Sequence, residues 1–151
     1  PGYSVRPVEM SGAIGSVQLK KWDNILARRL KNAGYFKQFF DSEPWLDIQQ
    51  VKNGVSTWFS FGCVLNERLK GRRDDVIKAF DENGIEARPL ASGHWLKQPV
   101  MKDLDYIDMF KDYPASQNID ENGFWIGNHA TDMSLGIEKV HEVLKKVADA
   151  R

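Results

Sequence analysis

The chain has 151 residues, room for one domain around one core. At 42% hydrophobic and 28% charged it is too apolar for a disordered chain. Twenty-one Lys and Arg balance twenty-one Asp and Glu, which argues against a partner held by bulk charge, and the single cysteine excludes an internal disulfide or a multi-cysteine zinc site.

The opening residues, Pro1-Gly2-Tyr3-Ser4-Val5-Arg6-Pro7, carry no leader pattern and no initiator Met, and read as the middle of something longer. A long helix is expected over about 8–33, because apolar or small residues recur at Met10, Ala13, Ile14, Val17, Ile25, Leu26 and Leu30. Gly34 is its expected stop. Its first turns hold Ser11, Gly12, Gly15 and Ser16, poor helix formers that suit close packing, either inside the subunit or at a subunit or ligand interface. Two strands follow, at 45–51 and 57–65, with Lys52-Asn53-Gly54 as a hairpin signal between them. The second is apolar enough to be central. Residues 66–73 are a charged connector, read as a solvated turn rather than a phosphate patch. A helix over 74–83 begins with Asp74 and Asp75 and ends at Gly84.

A third strand is expected at 85–91, then an irregular stretch with a short helix near 99–110, then an apolar strand at 123–127. A final helix covers 134–149, capped by Ser134, with Ile137, Val140, Leu144 and Val147 facing inward. No apolar run reaches the roughly 18–20 residues that span a bilayer. This order predicts an α+β fold: a small, mostly antiparallel (mixed) sheet of three or four strands, helices packed on one face, and a long helix in front. The expected division is 1–34, the interface helix, and 35–151, the small domain.

The common catalytic patterns are missing. There is no phosphate-binding glycine loop and no His-Glu-x-x-His. His94, His129 and His141 are not at ligand spacing, so no metal site is expected, and His141 reads as a structural histidine. Cys63 sits mid-strand among apolar residues, which raises a thiol pKa and blunts its reactivity. Two loops carry binding chemistry. Arg88-Pro89-Leu90-Ala91-Ser92-Gly93-His94-Trp95 brings an Arg that can grip a phosphate or carboxylate and an indole that offers a stacking face. Gly127-Asn128-His129-Ala130-Thr131-Asp132 joins a strand to a helix, and reads as a binding loop or as a plain turn with caps.

At these residues the sequence resembles a known family. Gly2-Tyr3-Ser4-Val5-Arg6 followed by Glu9-Met10 and Gly12-Ala13-Ile14-Gly15-Ser16-Val17-Gln18-Leu19 is similar to a motif of the DegT/DnrJ/StrS family, fold-type-I pyridoxal-phosphate enzymes acting on nucleotide-linked keto-sugars. Gly84 to Pro89, Ser92-Gly93-His94 and Asp120 to His129 resemble the branch with the keto-deoxyhexose 3-dehydratases. With no leader pattern and no spanning run the chain is expected to be cytoplasmic, and the resemblance implies an enzyme with this chain as its C-terminal small domain and the end of its large one. It implies amination of a keto-sugar with glutamate as donor, or 3-dehydration through the pyridoxamine form. The cofactor, pyridoxal 5'-phosphate, would be bound mainly by a part not in this chain, so no catalytic residue is expected here.

Ser4, where the family motif has Asn, and Arg6 would reach the cofactor phosphate of a neighbouring subunit. The small-residue face of the first helix would lie at that homodimer seam. Arg88, Ser92, Gly93, His94, Trp95, Asn128 and His129 would contact the nucleotide-sugar substrate. No nucleic-acid or membrane partner is implied. The alternative is a free-standing, non-catalytic binding or dimerisation module.

Overall fold

The computed structural model describes residues 8–90, 93–109 and 112–150. Two helices occupy the first forty residues, α1 (Glu9–Leu19) and α2 (Trp22–Phe40), where the periodicity predicts one helix ending at Gly34. The break falls at Lys20–Lys21. There the Lys21 N–H bonds back to the Gln18 carbonyl, a tighter turn that ends the α-helical ladder. Gly34 does not stop α2, and the division expected at residue 34 falls inside this helix. A mid-helix glycine costs about 1 kcal/mol. Burial of Phe36 and Phe40 one and two turns from Asn32 outweighs it, at about 1.5–3 kcal/mol per large side chain.

Strand β1 (Leu46–Ile48) pairs antiparallel with β2 (Ser60–Leu65), Leu46 opposite Leu65 and Ile48 opposite Cys63. The hairpin expected here forms, but its connection is longer than a tight Asn-Gly turn. Gly54 does take the left-handed conformation, at φ 85°. Helix α3 (Arg73–Glu82) closes in a Schellman motif: Ile85 N–H reaches the Phe80 carbonyl at 2.9 Å, Gly84 N–H reaches the Asp81 carbonyl at 3.0 Å, and Gly84 has φ 69°. Strand β3 (Ala87–Pro89) is shorter than expected and lies at the sheet edge, where Pro89 is tolerated.

A 3-10 turn at Pro99–Asp103 stands in part of the irregular stretch. No sequence pattern predicts helix α4 (Pro114–Asn122). Ile119 is the only large apolar residue among its nine, and the helix starts on a proline at its first position. Its end is held by buried Asn122, whose side-chain oxygen accepts the Gly71 N–H at 2.6 Å. Strand β4 (Gly123–Gly127) completes the order β1-β2-β4-β3, antiparallel throughout, so β2 is central as its composition predicts.

Helix α5 (Ser134–Asp149) buries Ile137, Val140, Val143, Leu144 and Ala148. Val147, expected inside, is half-buried. The cap position falls on Met133, not Ser134, and one Asp132 carboxylate oxygen just before it accepts the Ser134 N–H at 3.0 Å and the Ser134 hydroxyl at 2.7 Å.

One core joins these pieces. Phe61, Cys63 and Leu65 from β2 and Phe124 and Ile126 from β4 meet the apolar faces of α2, α3 and α5. Phe36 stacks on Phe61 with ring centres 4.2 Å apart and planes 2° apart. His141 is structural, as its helical position suggests. It sits among Phe39, Phe40 and Trp45 and meets the Glu43 carboxylate at 2.7 Å. Phe36→Ala is expected to lower unfolding free energy by about 3–5 kcal/mol, read as a shifted urea midpoint at constant slope.

Candidate functional site

A cleft of about 530 Å³ opens beside the C-terminal end of β4. Arg88 and Trp125 meet across the β3–β4 ladder, and the Arg88 guanidinium lies 5.8 Å from the Trp125 ring centre. One Glu86 carboxylate oxygen accepts two bonds from that guanidinium, at 2.9 and 2.6 Å. The pair is solvent-exposed, so it adds little stability; its effect is to orient the fork. His129 and the main chain of Gly127 form another wall, and Arg29 of α2 stands above the Phe59 ring at 5.3 Å.

Asn128 lines this cleft but is 3% exposed, and its amide is occupied. Its NH2 group donates to the Arg29 carbonyl at 3.1 Å and to the Trp58 carbonyl at 2.8 Å. Its oxygen accepts from the Asn32 amide at 3.0 Å. Asn32 also donates to the carbonyls of His129 and Thr131, at 3.1 and 2.9 Å. Asn128 therefore holds the walls of the cleft together. Trp58 is held in the left-handed region, at φ 48°, an uncommon setting for a bulky residue.

The far end of the other predicted loop, Gly93–Trp95, lies outside this cleft. Gly93 packs so closely on α4 that a β-carbon there would come within 2.5 Å of the Asp120 α-carbon. The Asp120 carboxylate accepts the His94 N–H at 3.2 Å and the Lys97 ammonium at 3.1 Å. Arg73 donates to the Asp120 carbonyl. The Lys97 hydrogen bond, aided by the His94 N–H, holds the Asp120 carboxyl below its ordinary range despite partial burial. His94 faces a second depression of about 330 Å³, shared with Asp108, Asp112, Tyr113 and Gln117, and its ring meets Tyr113 edge-on. Trp95 is exposed at the start of a 3-10 turn, Trp95–Lys97.

Arg88, Asn128 and His129 thus share one cleft, while Gly93, His94 and Trp95 lie outside it. Ser4, Arg6 and Ser92 lie outside the described residues. Arg29 and Phe59 escaped the sequence reading as site residues, and Glu86 and Trp125 entered it only as members of the matched runs. Phe59 had a signal, a large aromatic beside a strand where a polar residue would suit water; Arg29 had none, because it looks like any helix-surface cation. Cys63 is 1% exposed, and burial pushes its thiol well up, so it stays protonated. Among the described residues no group of three His, Cys, Asp or Glu could hold a metal ion, and no helix is long and apolar enough to cross a membrane.

Residues 1–148 match the DegT/DnrJ/EryC1/StrS aminotransferase family. The chain belongs to that family. It is 44% identical over 147 residues to a GDP-4-keto-6-deoxy-D-mannose 3-dehydratase of Yersinia pseudotuberculosis. It is 40% identical over 146 residues to a protein of the same name from Escherichia coli O55:H7. The matches cover 97% and 96% of this chain but 37% of each relative, so the chain spans little more than a third of their length. The solved E. coli GDP-4-keto-6-deoxy-D-mannose-3-dehydratase with bound hydrated PLP is similar over 95% of this chain and 37% of that one, with TM-score 0.87 and 39% identity. Helicobacter pylori PseC, an aminotransferase involved in the biosynthesis of pseudoaminic acid, shares the fold: TM-score 0.80 at 15% identity, over 99% of this chain and 40% of that chain.

Asn128→Ala strands the carbonyls of Arg29 and Trp58 and should destabilise the chain by about 2–4 kcal/mol. Asn128→Asp keeps the shape but places an oxygen against those carbonyls, and should cost at least as much; calorimetric melting of both variants checks this. The Asp120 loop should respond to acid. A carboxyl held below its unfolded pKa stabilises the fold above the ordinary carboxylate range and loses that contribution as pH falls through its folded value. Amide exchange at His94 should therefore show extra opening in acid, measured against the intrinsic exchange rate, and Asp120→Asn should flatten that pH dependence.

Proposed function

We propose that the chain is the C-terminal portion of a pyridoxal-phosphate enzyme that removes the 3-hydroxyl of a GDP-linked 4-keto-6-deoxy sugar. The observation that supports it most is 44% identity across 97% of the chain to a relative named for that reaction. Amination of a nucleotide-linked keto-sugar with glutamate as donor is the second reading. It is favoured by 30% identity over 95 residues to a GDP-perosamine synthase of Caulobacter vibrioides.

The described residues supply part of such a site. A pyridoxal cofactor supplies an electron sink to the bound substrate; a lysine would hold it in the amination reading, whereas 3-dehydration through the pyridoxamine form requires none. No described lysine lines the Arg88–Trp125 cleft, and all described lysines are exposed or half-exposed. These residues do not complete a cofactor cradle, so the reactive half belongs to sequence the relatives have beyond the matched region.

What this chain supplies is a substrate wall. Arg88, aimed by Glu86, presents a fork that suits diphosphate oxygens, and Trp125 backs it with a flat apolar face. The Gly93–Trp95 loop, fixed on Asp120, offers a backbone edge, an imidazole and an exposed indole as a second contact.

The seam belongs to α1. It has no buried residue, and Met10, Ile14 and Val17 are exposed along it at helical spacing. β-carbons at Gly12 and Gly15 would meet nothing in this chain, which leaves room for another backbone to approach. We place a homodimer contact there, with Ser4 and Arg6 at the neighbour's cofactor phosphate, and the enzyme in the cytoplasm.

The test is turnover by the enzyme carrying this segment, loaded with pyridoxal phosphate and offered GDP-4-keto-6-deoxy-D-mannose with glutamate. Loss of the 3-hydroxyl is expected, and an aminated sugar would select the second reading. Arg88→Ala should raise the sugar KM at least tenfold while cofactor absorbance persists. Absence of any keto-sugar conversion would overturn the proposal.

A further inference from the structure

We propose that Arg29 is a second anion-gripping residue of the cleft, beside Arg88, and that it forms with Phe59 a preformed seat for one oxyanion, a carboxylate or phosphate group of a bound ligand. The argument begins with charge. Arg29 is half-buried on α2, and no carboxylate among the described residues forms an ion pair with it. Its neighbour Arg28 does have such a partner, Asp132 at 3.2 Å. Within the cleft, Arg88 is engaged by Glu86 at 2.6 Å. His129 is the remaining titratable group along this wall. Among the described residues of the cleft, Arg29 is therefore the cation left uncompensated.

Hydrogen bonding leads to the same residue. The Arg29 Nε is shut from solvent and has no acceptor among the described residues. A buried donor on a charged group is costly to leave unmet, and an oxyanion entering the cleft is the acceptor that matches a guanidinium in shape and sign.

The surroundings are built to keep Arg29 in place. Its guanidinium rests over Phe59, which is 67% exposed, an aromatic that the core does not need. The buried Asn128 amide donates to the carbonyls of both Arg29 and Trp58, so it clamps the helix turn that carries the cation against the segment that carries the ring. Trp58 is bent into the left-handed region at this clamp. Strain retained where a ligand wall is being positioned is a sign of preorganisation. The inference uses no property of the cofactor. It stands or falls separately from the reaction proposed above.

The experiment follows two signals of the nitrogen-15-labelled chain: the Trp125 indole N–H, assigned with Trp125→Phe, and the Arg29 Nε–H. Glutarate and inorganic pyrophosphate are titrated separately at constant ionic strength. Saturable shifts of both signals are expected. Tighter binding of glutarate identifies a carboxylate ligand, and tighter binding of pyrophosphate identifies a diphosphate. Arg29→Gln should weaken binding at least tenfold, and Arg28→Gln should leave it within twofold. The Arg29 Nε–H signal reads the contact in the unaltered chain, so the test survives a variant that fails to fold. Shifts that do not saturate, or that are the same in Arg29→Gln as in the parent, would overturn the proposal.

Discussion

A pair of buried amides governs the arrangement of this protein's candidate cleft. Asn32 on α2 and Asn128 at the end of β4 meet at 3.0 Å. Between them they tie four carbonyls, from Arg29, Trp58, His129 and Thr131, into one cluster. Inside a protein such a cluster is stable only when nearly every donor and acceptor is matched, because an unmatched buried polar group carries the full penalty of losing water. This cluster meets that condition. The helix, the approach to the central strand and the loop before α5 are therefore held at one mutual spacing, and the Arg29–Arg88 cleft inherits it.

The second surface follows the same logic with a carboxylate. Asp120 collects the His94 N–H and the Lys97 ammonium, and Gly93 lies against its backbone with no room for a side chain. In both places a short polar residue on a rigid element gathers donors or acceptors from a loop that has no regular structure of its own. The hydrophobic core stands behind both. The alternation of Phe61, Cys63 and Leu65 faces β2 toward the helices, and the exchange of every second residue to the other side puts Arg88 and Trp125 opposite each other away from that core.

This division explains why a chain a little over a third as long as its relatives still folds around one core and still carries recognisable ligand chemistry. Its apolar contacts are complete within α2, α3, α5 and the sheet, whereas α1 and the Leu104–Met109 segment leave apolar side chains in solvent. The self-sufficient part is the scaffold.

The sequence alone was enough for the class of fold, the central position of β2, α3 with its glycine end, β4, α5 and the family. Each depends on local information: side-chain period, capping residues, glycine at a left-handed position, or a motif read in order. The same local reading failed wherever distant residues outvoted a local signal. Gly34 could not end α2 because Phe36 and Phe40 are drawn into the core, and α4 could not be seen because its nine residues show almost no apolar period. The burial of Asn128 was not legible either, because a polar residue on a loop carries no mark of it. Only the tertiary structure set Arg29, which belongs to no motif, under the Asn128 clamp and on the wall of the cleft. Charge compensation and burial are properties of the assembled chain, so a cation without a partner becomes visible only after every partner has been placed.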